Sequence, residues 1–350
     1  MRTAGKILAG ISAILFVITG VLALLLFNIE RKAFSAETYK QAFESQKLYE
    51  RMPGILADAL ATSIAQDQNS NALLSKFSEE DWAASIASLL PPEELKAMSN
   101  DTLDSVFDYL NNQSDSAAIS LLPLKKHLAG PAGMDALLGL MSTQPACSTE
   151  QLIQMTLGAL TGGEFILCNP PDEILGLITP LVETQLQFMT VAIPDEITLI
   201  SAAQSGTPDD PRIQLNRVRK VMKLTPLLPL IFLIGITIFA VRGLRDWLMW
   251  WGLPFMFTGG ISLLIALLGS PIIGLVIRTA MQEQGSGFVP PILLPTLQET
   301  IGEVARQILM PVAVEGLTLA ILGMGMIMIA WYLAKREKDQ ITKRLNAPNV

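Results

Sequence analysis

Residues 7–27 form an almost uninterrupted apolar run, and three more crowd the C-terminal third at 224–241, 247–268 and 312–334. Each holds about the 20 apolar residues that a helix rising 1.5 Å per residue needs to cross a hydrocarbon core roughly 30 Å thick. Backbone in lipid must satisfy its own hydrogen bonds, and these runs are too long and too evenly apolar for barrel strands. The pattern predicts four transmembrane helices.

Between the first run and the second the pattern changes. Apolar residues recur at spacings of three and four, strand signatures are missing, and helices are predicted throughout. Ser35 is placed to cap a helix whose inner face is Tyr39, Ala42 and Phe43, and Pro53 is placed to begin another. Ser78-Glu79-Glu80-Asp81 opens a helix carrying Trp82, Ile86 and Leu89 that Pro91 and Pro92 stop, and a further helix follows with Leu103, Val106, Phe107 and Leu110 on one stripe. Ser148-Thr149-Glu150-Gln151 is a capping box, and Pro170-Pro171 starts an apolar helix from about residue 172 to 191. Gln204 to Pro211, rich in Gly, Pro, Ser and Asp, reads as a linker. The basic stretch 212–223 then reads as a helical lead into the second span, its cations on lipid headgroups. Near 296–310, Thr296 and Glu299 make a capping box, Leu297, Ile301, Val304 and Ile308 share one face, and Pro311 is expected to end an amphipathic helix at the membrane interface or under the large domain.

Composition fits this layout: of 350 residues 50% are hydrophobic and 16% charged, with a mean hydropathy of +0.43, which is unusual for a water-soluble chain of this size. Arg2 and Lys6 precede the first run, but it exceeds the length of a signal-peptide core and has no small-x-small site after it, so a retained signal anchor is expected. Positive charges near the membrane ends tie between the two sides. Short loops carry more weight, and the first helix is flanked more cleanly by cations on its N-terminal side, which favours cytoplasmic termini. Trp247, Trp250 and Trp251, with Trp331 and Tyr332, then fall beside Arg242, Arg245, Lys335 and Arg336 as an aromatic belt backed by cations.

The expected organisation is a cytoplasmic tail and first span over 1–27, a helical extracytoplasmic domain over 28–223, three spans with the interfacial helix over 224–334, and a basic cytoplasmic tail over 335–350. The fold class is therefore all-α. Cys147 and Cys168 are the only cysteines and lie in the outer region, so a single disulfide is expected, contributing on the order of 3 kcal/mol.

Chemistry-bearing motifs are scarce. His127 is the only histidine, so no two-histidine metal site can form within one chain, and it reads as a surface or helix-end residue. No nucleophile elbow, Walker loop or dinucleotide fingerprint occurs. Asp67-Gln68-Asn69-Ser70-Asn71 imitates a calcium loop, but Ala72 stands where glycine is needed. Asp104 and Asp108 read as the solvated face of a helix rather than an acid pair. Glu315 and Arg278 are within reach of an interface, and the small residues Gly316, Gly323 and Gly325 suit close helix packing. No catalytic, cofactor-binding or metal-binding residue is expected.

Phe34-Ser35-Ala36-Glu37-Thr38-Tyr39, Trp82 followed by Leu89-Leu90-Pro91-Pro92-Glu93, Pro145-Ala146-Cys147-Ser148, Cys168-Asn169-Pro170-Pro171 and three terminal spans resemble the order of parts in bacterial multi-pass membrane proteins of uncharacterised function. The resemblance covers most of the chain and implies no activity. The expected role is a non-enzymatic protein of the cell membrane whose outer domain binds a protein or lipid partner, with a transporter or lipid-handling protein as the alternative. Expected partners are membrane lipids and a protein or a second copy of the chain. A net charge of -7 beside a membrane argues against nucleic acid.

Overall fold

The computed structural model describes residues 2–66, 79–142, 144–154, 168–200, 210–284 and 293–345. The proposed linker from Gln204, the calcium-like loop at 67–72, Ser78 and the helix beyond Gln154 fall wholly or largely outside them. The described chain is predominantly helical. It divides into two compact units: residues 1–38, 208–281 and 298–350 form the first, and residues 39–207 with 282–297 the second.

The first unit holds four helices long and apolar enough to cross a membrane, over Gly5–Ala33, Arg212–Ala240, Leu244–Val276 and Leu294–Gln340. Helix α1 (Arg2–Ala33) ends on Arg31 and Lys32, cations that suit the negative C-terminal pole of a helix. The second apolar segment is two helices here. In chain order these are α9 (Pro211–Leu224) and α10 (Leu227–Ala240), with a turn at Thr225-Pro226 between them. Pro226 has no N–H to donate, and the Thr225 hydroxyl turns back to Met222 O at 2.6 Å, so the break has a local cause. Asp210 caps α9 by accepting from the Arg212 N–H at 2.9 Å, with Pro211 at the first helical position.

Two prolines inside α11 (Leu244–Gln284), Pro254 and Pro271, do not interrupt its assignment, and Pro311 does not end α12 (Leu293–Leu345). The expected amphipathic helix over 296–310 is thus the first part of a 53-residue helix that continues into the fourth apolar segment. Thr296 is within the helix and accepts from Arg51 Nη2 at 3.4 Å instead of serving as a cap. Helices α11 and α12 run antiparallel in close contact. A side chain at Gly259 would collide with Gly316 O and Ala320 N, and one at Gly252 or Gly323 would meet the other helix's backbone. Gly325 and Gly260, by contrast, face open space. The expectation of close packing therefore holds for Gly316 and Gly323 but not for Gly325. Phe16, Leu233 and Ile236 form the core between α1 and α10.

The second unit is helical with one exception. It contains α2 (Ala36–Ser45) after its first three residues, α3 (Leu48–Gln66), α4 (Glu79–Leu89), α5 (Pro92–Leu110), α6 (Leu122–Ala129), α7 (Pro131–Ser142) and α8 (Asp172–Ala192). The exception is one short strand pair, an addition to a chain that is otherwise helical as expected. Strand β1 (Ala117–Ser120) pairs antiparallel with β2 (Glu196–Ile200), aligning Ile119 with Ile197 and Ser120 with Glu196. Strand β1 is only four residues long, too short for a periodicity to show, and its partner lies far along the chain.

Helix α2 starts after Ser35 as expected, and Ala42 is buried while the Tyr39 ring lies 5.0 Å from that of Phe107. Helix α3 begins at Leu48 and runs through Pro53 rather than starting there. On α5 the stripe includes Phe107, but the most deeply buried side chain is Tyr109, which the spacing did not single out. Ser148 and Gln151 make the reciprocal capping box foreseen: Ser148 N–H donates to Gln151 Oε1 at 2.9 Å and Gln151 N–H to Ser148 Oγ at 3.3 Å.

Candidate functional site

Four helices of the first unit enclose an apolar cleft of about 410 Å³. Phe16, Gly20, Ala23, Leu24 and Phe27 supply one wall, a single face of α1 repeating every three or four residues and about 16 Å long at 1.5 Å per residue. Pro229, Leu230 and Leu233 of α10 supply the second wall. Phe255 and Thr258 of α11 and Glu315 and Leu319 of α12 close it. The volume lies in the range of small-molecule sites.

Glu315 is the chemical feature of this cleft. It stands 22 positions into α12, because the helix does not stop at Pro311, and it faces the cleft. Asn28, 1% exposed, donates from Nδ2 to Glu315 Oε2 at 2.7 Å and also to Leu24 O at 2.9 Å. An amide and a carboxyl on helices 287 positions apart are thus joined at the end of the apolar run of α1. The sequence reading placed Glu315 within reach of an interface and overlooked Asn28. Only the crossing of α1 and α12 pairs them, although a lone Asn bordering an apolar run was the available signal. The Thr258 hydroxyl, on the cleft wall, and that of Ser262, one turn on, are buried without a hydrogen-bond partner.

Glu315 is partly buried, and the fully buried acids of this unit among the described residues are each met by an arginine. Glu30 Oε1 accepts from Arg219 Nη2 at 3.0 Å and lies 3.3 Å from Lys223 Nζ, and the Arg219 guanidinium also covers the Phe34 ring at 4.6 Å. Asp210 holds Arg212 at 2.8 Å, both buried, and Glu303 holds Arg306 at 2.6 Å. Two of the cations expected on headgroups, Arg212 and Arg219, therefore turn inward to carboxylates, while Arg217 and Lys220 are exposed. Among the described residues, Glu315 has no cationic partner.

The aromatic belt is present in part. Trp331 and Tyr332 are exposed, Lys335 lies 5.7 Å over the Trp331 ring, and Arg245 reaches Glu337 at 3.6 Å, which brings the start of α11 to the late part of α12. Trp251 instead turns inward, donating from Nε1 to Thr237 Oγ1 at 3.0 Å and lying beside Phe255.

In the second unit Cys147 and Cys168 are disulfide-bonded, with Cα atoms 5.0 Å apart. Backbone bonds run alongside, from Cys147 N–H to Asn169 O and from Asn169 N–H to Pro145 O, both 2.9 Å. The bridge belongs to the second unit, and the cleft residues to the first. His127 lies in the last turn of α6, 3.2 Å from Ser88 O, as a helix-end residue. Asp104 receives Lys40 at 2.6 Å while Asp108 is exposed, so the two do not form an acid pair. Burial pushes the Tyr39 hydroxyl above its ordinary pKa, and the hydrogen bond to Glu44 raises that of Lys96.

Four helices long and apolar enough to cross a membrane are consistent with a multi-pass membrane protein. No family model matches it, nor does any curated protein or solved structure.

Proposed function

We propose that this is a non-enzymatic integral protein of the cell membrane that binds lipid among its membrane helices and presents its second unit to a protein or lipid partner. Both termini lie in the cytoplasm and residues 28–223 lie outside it. The observation that carries the reading is the cleft: thirteen residues, nearly all apolar, around a single carboxyl held by a buried amide. An ionisable side chain within a spanning helix is costly and marks a candidate functional position. The separate core of the second unit, with Phe188 and Val191 of α8 exposed, supports a surface for a partner. Purified full-length chain, washed in mild detergent and extracted, is expected to retain a stoichiometric lipid; a lipid-free chain overturns the reading.

The carboxyl of Glu315 within a spanning helix also favours a second reading, in which the lipid is moved and not merely held. Liposomes bearing the chain then scramble a fluorescent lipid faster than empty ones. Equal rates leave binding alone.

A further inference from the structure

Among the described residues, every fully buried acid of the membrane unit has an arginine beside it; Glu315, partly buried, has none. Glu30, Asp210 and Glu303 sit at 2.6–3.0 Å from Arg219, Arg212 and Arg306. Glu315 receives one neutral amide proton on Oε2, from Asn28, and no described residue bonds Oε1. A carboxylate in an apolar setting is strongly destabilised unless a cation or several donors meet it. Its side chain lines a cleft whose remaining wall is aliphatic and aromatic except for the Thr258 hydroxyl, so the carboxyl stands at the side of an apolar groove.

From this contrast we propose that the cleft is a binding site for an amine-headed amphiphile, whose ammonium group supplies the cation that Glu315 lacks while its chain lies along α1 from Phe27 to Phe16. The inference rests on the lipid-binding reading above and adds the headgroup. Asn28 is a positioning residue. It fixes one carboxylate oxygen and leaves the other for the ligand, and its own burial prevents the amide from turning away. Gly20 gives the chain room on α1, since any side chain there would press on the Thr258 methyl group. Anionic heads without an amine meet an unshielded carboxylate at the same place and are disfavoured by like charge.

The test uses full-length protein in nanodiscs made from equal parts phosphatidylethanolamine and phosphatidylglycerol with identical acyl chains, followed by native mass spectrometry of the retained lipid. Wild type is expected to retain the ethanolamine lipid with about tenfold preference, the scale of one charge-assisted hydrogen bond. E315Q keeps the shape and the Asn28 contact but removes the charge, so it should still retain lipid and lose the preference. L230W, a substitution at an exposed wall position and therefore safe for folding, should retain neither. Lipid retained by wild type without preference, or a preference unchanged in E315Q, overturns the proposed ligand and leaves the lipid-binding reading standing. Absence of lipid from wild type overturns both.

Discussion

The two units are built inside out relative to one another. In the membrane unit several polar side chains are interior and many large aliphatics exterior: Glu30, Asp210, Glu303, Asn28, Thr258 and Ser262 are buried, while Ile14, Ile18, Ile234 and Leu267 are exposed. In the second unit Ala57, Phe107, Tyr109 and Met141 are buried, and the ion pairs Lys40–Asp104, Lys96–Glu44 and Lys125–Asp195 each have an exposed acid. The solvent explains the difference. Between helices in lipid, burying aliphatic carbon gains little because the tails are as apolar as leucine, so polar pairs and close backbone contact hold the bundle. In water the apolar core supplies the driving force, and surface pairs add little.

The comparison breaks most sharply at Arg219. R219A strands the Glu30 carboxylate, 5% exposed, with only the exposed Lys223 as cation, and should destabilise the membrane unit by about 3–5 kcal/mol, read as a fall in thermal stability in detergent. Removing the disulfide in C147S/C168S should cost the second unit about 3 kcal/mol from the loop it closes, with no change in lipid retention by the membrane unit. Limited proteolysis followed by mass mapping separates the two: cuts should appear within 79–200 and not within α10. G259L should cost about 1–3 kcal/mol by forcing α11 from α12, whereas G260L, which meets open space one position away, should be close to neutral. Equal melting temperatures for those two variants would show that the glycine contact does not hold the bundle. Alkaline titration gives the smallest effect. The raised pKa of Tyr39 means that the unfolded state loses its proton first, so this contribution is intact below about pH 10 and is lost as pH rises through the folded value. Y39F should flatten that dependence.

The long regularities were legible. Apolar runs gave the four long helices, because about 20 consecutive greasy residues have few other uses, and the capping box at Ser148 and Gln151 gave a helix start down to its hydrogen bonds. Two local rules misled. Pro53 and Pro311 read as boundaries, yet each lies inside a helix, where surrounding turns absorb one missing N–H. Strands β1 and β2 were invisible because each is short and each finds its edge only across the fold. The basic stretch 212–223 was read as facing headgroups, but its 3.6-residue period puts Arg212 and Arg219 on a face that meets Asp210 and Glu30.

The amino-acid sequence by itself determined the class of this protein, a predominantly helical chain with four helices long and apolar enough to span a membrane, and it named the only cysteine pair available. Those properties follow from composition over windows and from counting, which need no contact map. Tertiary structure alone decided that Glu315 meets Asn28 beside a cleft while Glu30, Asp210 and Glu303 meet arginines. Which side chains meet depends on helix crossing and rotation, and these are set by glycine contacts and buried pairs scattered over hundreds of positions.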